Sequence, residues 1–230
     1  MKIVVFGLGN FGSSLALKLT ESGNEVIGVD IKMEKVNLLK DKIAHTICLD
    51  ATNELAYDRL PLKDAHIAIV AIGENEGAAI ITTAILKDKT EAKIISRSLS
   101  PVHDTVLKAM GINNIIHPEQ EAAANLTGKI NLKNVLDNFN LDDEYSISEV
   151  IAKDSFQGKS LHELDFRKKY NLNVVTIIRP CEKKNFLGNK LKKKEVIGLP
   201  DNNTKIQKND QLIVFGRNED IANFGEEMTK

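Results

Sequence analysis

The sequence predicts an α/β protein, a doubly wound parallel sheet followed by a smaller α+β unit. Three observations carry this. Through the first half, short β-rich apolar runs alternate with longer helical patterns, an order that implies right-handed crossovers and a sheet covered on both faces. A glycine triplet, Gly7, Gly9 and Gly12, follows the first run and opens the first helix. Beyond the stretch LDDEY the texture changes to closely spaced strands with a few short helices.

Residues 2–6, 25–29, 46–49, 67–72, 93–96 and 114–116 read as six strands. Between them, residues 11–22, 33–42, 53–59, 76–87 and 101–110 read as helices, with breaks marked by Gly23, Pro61 and Gly111. The segment EQEAAANLTGKINLKNVLDNF, residues 119–139, reads as one further helix, because Ala123, Leu126, Ile130 and Leu136 recur at helical intervals. Further on, 146–152, 172–178, 195–197, 205–206 and 211–215 read as strands, with helices at 162–169 and from Asn218. The expected organisation is therefore a nucleotide-binding domain over 1–118, a linker or dimerisation helix over 119–141, and an α+β domain over 142–230.

Composition narrows the function. Aliphatic residues dominate, aromatics are 5 % and Trp is absent, which suits buried parallel sheet. Lys and Arg number 31 against 32 Asp and Glu, so the global charge gives no reason to expect nucleic acid. Cys48 and Cys181 fall in different expected domains, without the company of a zinc cluster. The first strand begins at residue 2, leaving no room for a signal peptide, and no apolar run approaches the roughly 20 residues needed to span a bilayer. The expectation is a soluble cytoplasmic protein; work at a membrane would need another chain to supply the span.

The glycines match G-x-G-x-x-G in the Rossmann context of strand, turn and helix. Gly7 permits the tight turn, Gly9 admits a pyrophosphate, and Gly12 lets helix and strand pack closely. With them, Asn10 and Phe11 lie at the helix start, whose free amides and partial positive charge favour phosphate. Asp30 ends the second strand in VIGVD, about 20 residues on, where a carboxylate accepts both ribose hydroxyls and repels a 2′-phosphate; the competing reading is a cap for the next helix. Asp50, Ala51 and Thr52 follow the third strand, and Ala71, Ile72 and Gly73 end the fourth, where a crevice needs walls. Thr52 reads equally well as the cap of the following helix.

No catalytic apparatus accompanies this crevice. His45, His66, His103, His117 and His162 are scattered, and His103 and Asp104, adjacent on a helix, do not face one another. Nucleophile elbow, HExxH, Walker lysine and zinc spacing are all missing. The lysine-rich stretch 183–194, KKNFLGNKLKKK, reads as a solvated hairpin, with Phe186 and Leu187 unusual for such a tip.

The chain resembles the RCK (regulator of potassium conductance) family, the cytosolic regulatory subunits of Ktr and Trk potassium-uptake systems. VVFGLGNFGSSLA, GNEVIGVD, LDAT and AIVAIGEN are similar to the amino-terminal RCK domain in order and spacing, and IIHPEQEAA to the segment after its sixth strand. LDDEYSISEV and GLPDNNTKIQKNDQLIVFGR resemble the carboxyl-terminal RCK domain. The resemblance implies a nucleotide that acts as a conformational ligand, ATP and ADP or NADH and NAD. It implies homodimers assembling into an octameric ring beneath a membrane potassium channel or transporter, peripheral to the inner face of the plasma membrane. It places Gly7, Gly9 and Gly12 at phosphates, Asp30 at ribose, and Asp50, Ala51, Thr52, Ala71 and Gly73 on the adenine side. Arg97 becomes a phosphate or base contact, and Glu119 an acidic group near the phosphates at the dimer interface that binds a cation or serves as a first-turn residue. Asn10 departs from the arginine often found there, and an amide cannot neutralise a γ-phosphate as guanidinium does, so the resemblance leaves ATP/ADP against NAD open. Some members also bind cyclic di-AMP in the carboxyl-terminal domain; Val175, Ile177, Ile178 and Arg179 offer such a surface, though an ordinary core strand explains the first three equally. The rival readings are a small NAD-dependent oxidoreductase and a nucleotide-sensing DNA-binding regulator.

Overall fold

The computed structural model describes residues 1–131, 134–184 and 190–227. These form two compact units, Met1–Gln120 and Glu121–Lys230.

The first unit contains β1 (Lys2–Phe6), β2 (Glu25–Asp30), β3 (His45–Cys48), β4 (Ile67–Val70), β5 (Lys93–Arg97) and β6 (Ile115–Ile116). All pair in parallel, in the order β3-β2-β1-β4-β5-β6. Its helices are α1 (Asn10–Glu21), α2 (Met33–Leu39), α3 (Glu76–Lys89) and α4 (Pro101–Ala109). Side chains alternate across the sheet, so the apolar runs of β1 and β2 serve two cores. Ile3, Val5 and Val26 meet Leu8, Ala16, Val36 and Leu39 from α1, α2 and the turn before them. Val4, Phe6, Ile27 and Val29 meet Tyr57, Leu60, Ala79 and Leu86 on the other face. The third crossover is not the α-helix expected at 53–59. It is a pair of 3₁₀ turns, Glu54–Arg59 and Leu62–Asp64. Asn53 caps the first turn and Pro61 separates it from the second, leaving too few uninterrupted residues to repay α-helix nucleation.

Helix α5 (Pro118–Asn131) is shorter than expected, because residues 135–140, the end of the expected helix, are a strand. Asn134 turns the chain with φ of 59°, a left-handed conformation that asparagine tolerates. The second unit is antiparallel: β7 (Val135–Asn140), β8 (Tyr145–Ile151), β9 (Asn173–Lys184), β10 (Lys190–Val196) and β11 (Gln211–Arg217), in the order β10-β9-β11-β8-β7. The helix expected at 162–169 is two short ones, α6 (Leu161–Leu164) and α7 (Phe166–Tyr170), divided at Asp165, whose φ is 43°. Residues 205–206 form no strand; Lys205 makes one isolated bridge to Ser160. With α8 (Asn218–Glu227), these elements enclose Phe156, Phe166, Ile177, Leu212, Ile221 and Phe224. The lysine-rich stretch includes the paired ends of β9 and β10, Lys184 opposite Lys190; Phe186 and Leu187 lie outside the described residues.

Candidate functional site

The glycine turn joins the central strand β1 to α1. Gly7 has φ of 93°, and a side chain there would begin 2.9 Å from the Ile72 amide nitrogen. A side chain on Gly12 would begin inside the Gly7 carbonyl oxygen. Gly9, by contrast, has open space before it and caps α1 without any side-chain hydrogen bond. The first turn of α1 carries no acidic residue, so its orphan amides remain available to an anion.

Asp30 is only 8 % exposed. Its Oδ2 accepts the Leu8 N–H at 2.7 Å and its Oδ1 accepts the Lys32 N–H at 2.8 Å. The first bond fastens the glycine turn from β2; the second shapes the entry to α2. A carboxylate has about four lone-pair sites, so two hydrogen bonds leave Asp30 able to accept more from the cleft that it lines.

That cleft has a volume of about 540 Å³ at the carboxyl ends of the strands, around the point where the sheet order reverses. It brings together Gly7, Gly9, Asn10, Phe11, Asp30, Asp50, Ala51, Thr52, Ala71, Ile72, Gly73, Arg97 and Glu119. Gly12 alone among the expected residues is not on its wall, being packed behind the turn. Thr52 donates through N–H and Oγ1 to Asp50 Oδ1, at 2.9 and 2.7 Å, and the hydroxyl bond above all holds the Asp50 carboxyl below its usual range. The helix-cap role belongs to Asn53, not Thr52. Behind this wall the Ala51 carbonyl accepts from Tyr57 Oη at 2.7 Å and Thr82 Oγ1 at 3.2 Å. Burial pushes the Tyr57 phenol up to about 12, so it stays a donor.

Charged groups line two sides. Arg97 pairs with Glu119, lies 5.6 Å from the Phe11 ring centre, and packs where a side chain on Gly73 would otherwise begin. Its buried Nε has no hydrogen-bond partner among the described residues. Opposite, Lys32 and Lys35 reach Glu74 at 3.2 and 3.1 Å. Sequence reasoning overlooked these three, although the lysines follow Asp30 at short intervals. Glu119 is engaged by Arg97, and among the described residues no group of three or more His, Cys, Asp or Glu could hold a metal ion.

Two other sets of residues lie off the wall of this cleft. His103 is buried, accepting the Leu99 N–H on Nδ1 at 3.3 Å, whereas Asp104 pairs with His117 and Lys108. On β9, Ile177 lies in the core and Arg179 is tied to the buried Asp210, while Val175 points outward beside a bulge in the β9–β11 pairing.

Family models of two domains match the chain, the TrkA-N domain over residues 3–118 and the TrkA-C domain over residues 147–229. The Ktr system potassium uptake protein C of Bacillus subtilis (strain 168) is 37 % identical over 97 % of this chain and 95 % of its own length. The chain belongs to the Ktr potassium-uptake family. Another relative, the Ktr system potassium uptake protein A of the same organism, is 31 % identical over 98 % of this chain and 96 % of its own length. Among solved structures, the GsuK RCK domain superposes with a TM-score of 0.62 at 15 % identity, over 100 % of this chain and 48 % of its own. The GsuK channel bound to NAD superposes with a TM-score of 0.58 at 15 % identity, over 96 % of this chain and 38 % of its own. These two likenesses bear on the fold. Among the described residues of this Ktr-family chain, no helix is long and apolar enough to cross a membrane.

Proposed function

We propose that this protein is the nucleotide-sensing regulatory subunit of a Ktr-type potassium-uptake system, acting on a membrane partner from the cytoplasmic side. The observation that carries the reading is the single cleft in which the glycine turn, the orphan amides of α1 and Asp30 converge. Its volume suits an adenine nucleotide. Asp30 would accept from the ribose, the α1 amides and Arg97 would meet phosphate, and Asp50 to Thr52 with Ala71 to Gly73 would frame the base. The likeness to the Bacillus relatives over nearly the full chain supports the transport role. The GsuK channel bound to NAD supports NAD among the candidate ligands, beside ADP and ATP.

The mechanism is one of biased populations. A ligand shifts a conformational equilibrium only through unequal affinity for the two states, with coupling of about 1–3 kcal/mol per site. Homodimers assembled into an octameric ring would multiply that bias across identical sites. The nucleotide is then a signal and is not consumed, which sets this reading apart from the oxidoreductase alternative.

Native mass spectrometry of the purified protein tests it, reporting oligomer mass and co-purified ligand together, alongside potassium flux in vesicles carrying the membrane partner. The expected result is a ring carrying an adenine nucleotide, with flux that depends on which nucleotide is present and no turnover. Steady oxidation of NADH by the purified protein, or a chain that takes up no nucleotide, would overturn it.

A further inference from the structure

Asn10 leaves the cleft without a cation at the start of α1, yet a phosphate there would need neutralising. The charge comes from elsewhere in the chain. Lys35 Nζ is the nearest atom to the open side of Gly9, 3.9 Å from the point where a side chain would begin. It arrives from α2, two residues beyond that helix's start, and its side chain is only 21 % exposed. Gly9 caps α1 with no side-chain hydrogen bond, which leaves the opening amides of the helix without a side-chain cap, and Gly9, Asn10, Phe11 and Lys35 line the same cleft. The ammonium and those amides therefore face the same small volume, where an anion is favoured by both.

Glu74 is what now occupies Lys35. It sits between β4 and α3 and bridges Lys32 and Lys35, and its side chain is 70 % exposed. Such solvated pairs contribute little and are easily exchanged. A phosphate chain carries more charge and more acceptor oxygens than one carboxylate, so it outcompetes Glu74 for the same lysines.

We propose that Lys35 is the phosphate anchor of the cleft, with Lys32 assisting, and that Glu74 is a built-in counter-ion displaced when an adenosine 5′-polyphosphate binds. The inference rests on the nucleotide reading of the cleft and deepens it: Lys35 replaces the missing charge at Asn10 and makes the number of 5′-phosphates the quantity sensed. Because Asp30 occupies the ribose side, the lysines read the 5′ chain and not a 2′-phosphate.

Calorimetric titration of the full-length protein with adenosine, ADP, NAD and NADP decides the matter, using the parent chain, Lys35→Gln, Lys35→Arg and Glu74→Gln. Losing one charge-assisted contact should weaken ADP binding about 10- to 100-fold in Lys35→Gln, with adenosine affinity within about twofold of the parent. Lys35→Arg should recover most of the loss, and Glu74→Gln should bind ADP more tightly than the parent. Equal ADP affinity in Lys35→Gln and parent would overturn the anchor while leaving the nucleotide reading intact. So would equal losses for adenosine and ADP, or a parent that prefers NADP to NAD. Failure of the parent chain to bind any of the four ligands would remove the nucleotide reading, and the anchor with it.

Discussion

The Gly7 carbonyl oxygen occupies the place where a side chain on Gly12 would begin. This one juxtaposition locks the turn after β1 against the first turn of α1. Gly12→Ala must push the helix away from the strand, an overpacking that costs about 1–3 kcal/mol. The expected outcome is a lower unfolding midpoint together with loss of nucleotide uptake. Differential scanning calorimetry with and without ADP measures both. A variant that melts with the parent and binds ADP normally would show that the turn yields.

Asp30 makes a different prediction, since it holds the turn and faces the cleft. Removing its carboxylate leaves the buried Leu8 N–H without its acceptor, at a cost of about 1–3 kcal/mol. Asp30→Ala should therefore destabilise the first unit and abolish adenosine binding. Asp30→Asn keeps one acceptor oxygen and should fall between the two in denaturant unfolding.

In the second unit, Asp210 is fully buried and receives Nε and Nη2 of Arg179 at 2.9 and 2.8 Å, with the Gln207 N–H at 2.7 Å. Breaking a buried pair from one side costs about 3–5 kcal/mol. Arg179→Ala should accelerate amide hydrogen exchange in β9 and β11 while leaving β1 to β5 protected. Unchanged exchange across β9 and β11 would mean that the pair does not hold this sheet together.

His103 sets a pH dependence. Burial lowers its pKa, outweighing the opposing charges of Glu76 and Asp104, and protonating Nδ1 would break its bond from the Leu99 N–H. The unfolded chain takes up this proton near pH 6.5 while the folded chain resists it. Stability from this group is therefore present above pH 6.5 and is lost as pH falls below it. Asp50, Glu74, Asp104 and Glu163, all held below their usual range, act only at more acidic pH, near and below the carboxylate range. Urea unfolding between pH 7.5 and 5 should show a decline that His103→Gln flattens. A decline of the same slope in both proteins would assign it to other groups.

Local signals explain how much of this was legible in advance. The six parallel strands, the glycine turn and Asp30 announce themselves because each obeys a short-range rule of periodicity or spacing. The clamp of Lys32 and Lys35 on Glu74 joins residues 42 and 39 apart, and no short pattern encodes such a meeting. Residues 135–140 misled for a different reason. Their spacing continues the helical pattern, but pairing with β8 offers the backbone more than one extra turn of helix would. Asp165 is similar: nothing local to it announces the left-handed break that splits α6 from α7.

The position of β1 has a consequence for synthesis. β1 leaves the ribosome before both of its sheet neighbours, because it is an interior strand flanked by β2 and β4. One of its edges must stay bare until residues 67–70 emerge, and an unpaired apolar strand invites pairing with a stranger. Nascent chains stalled before β4 should thus depend on chaperones, and those stalled after it should not.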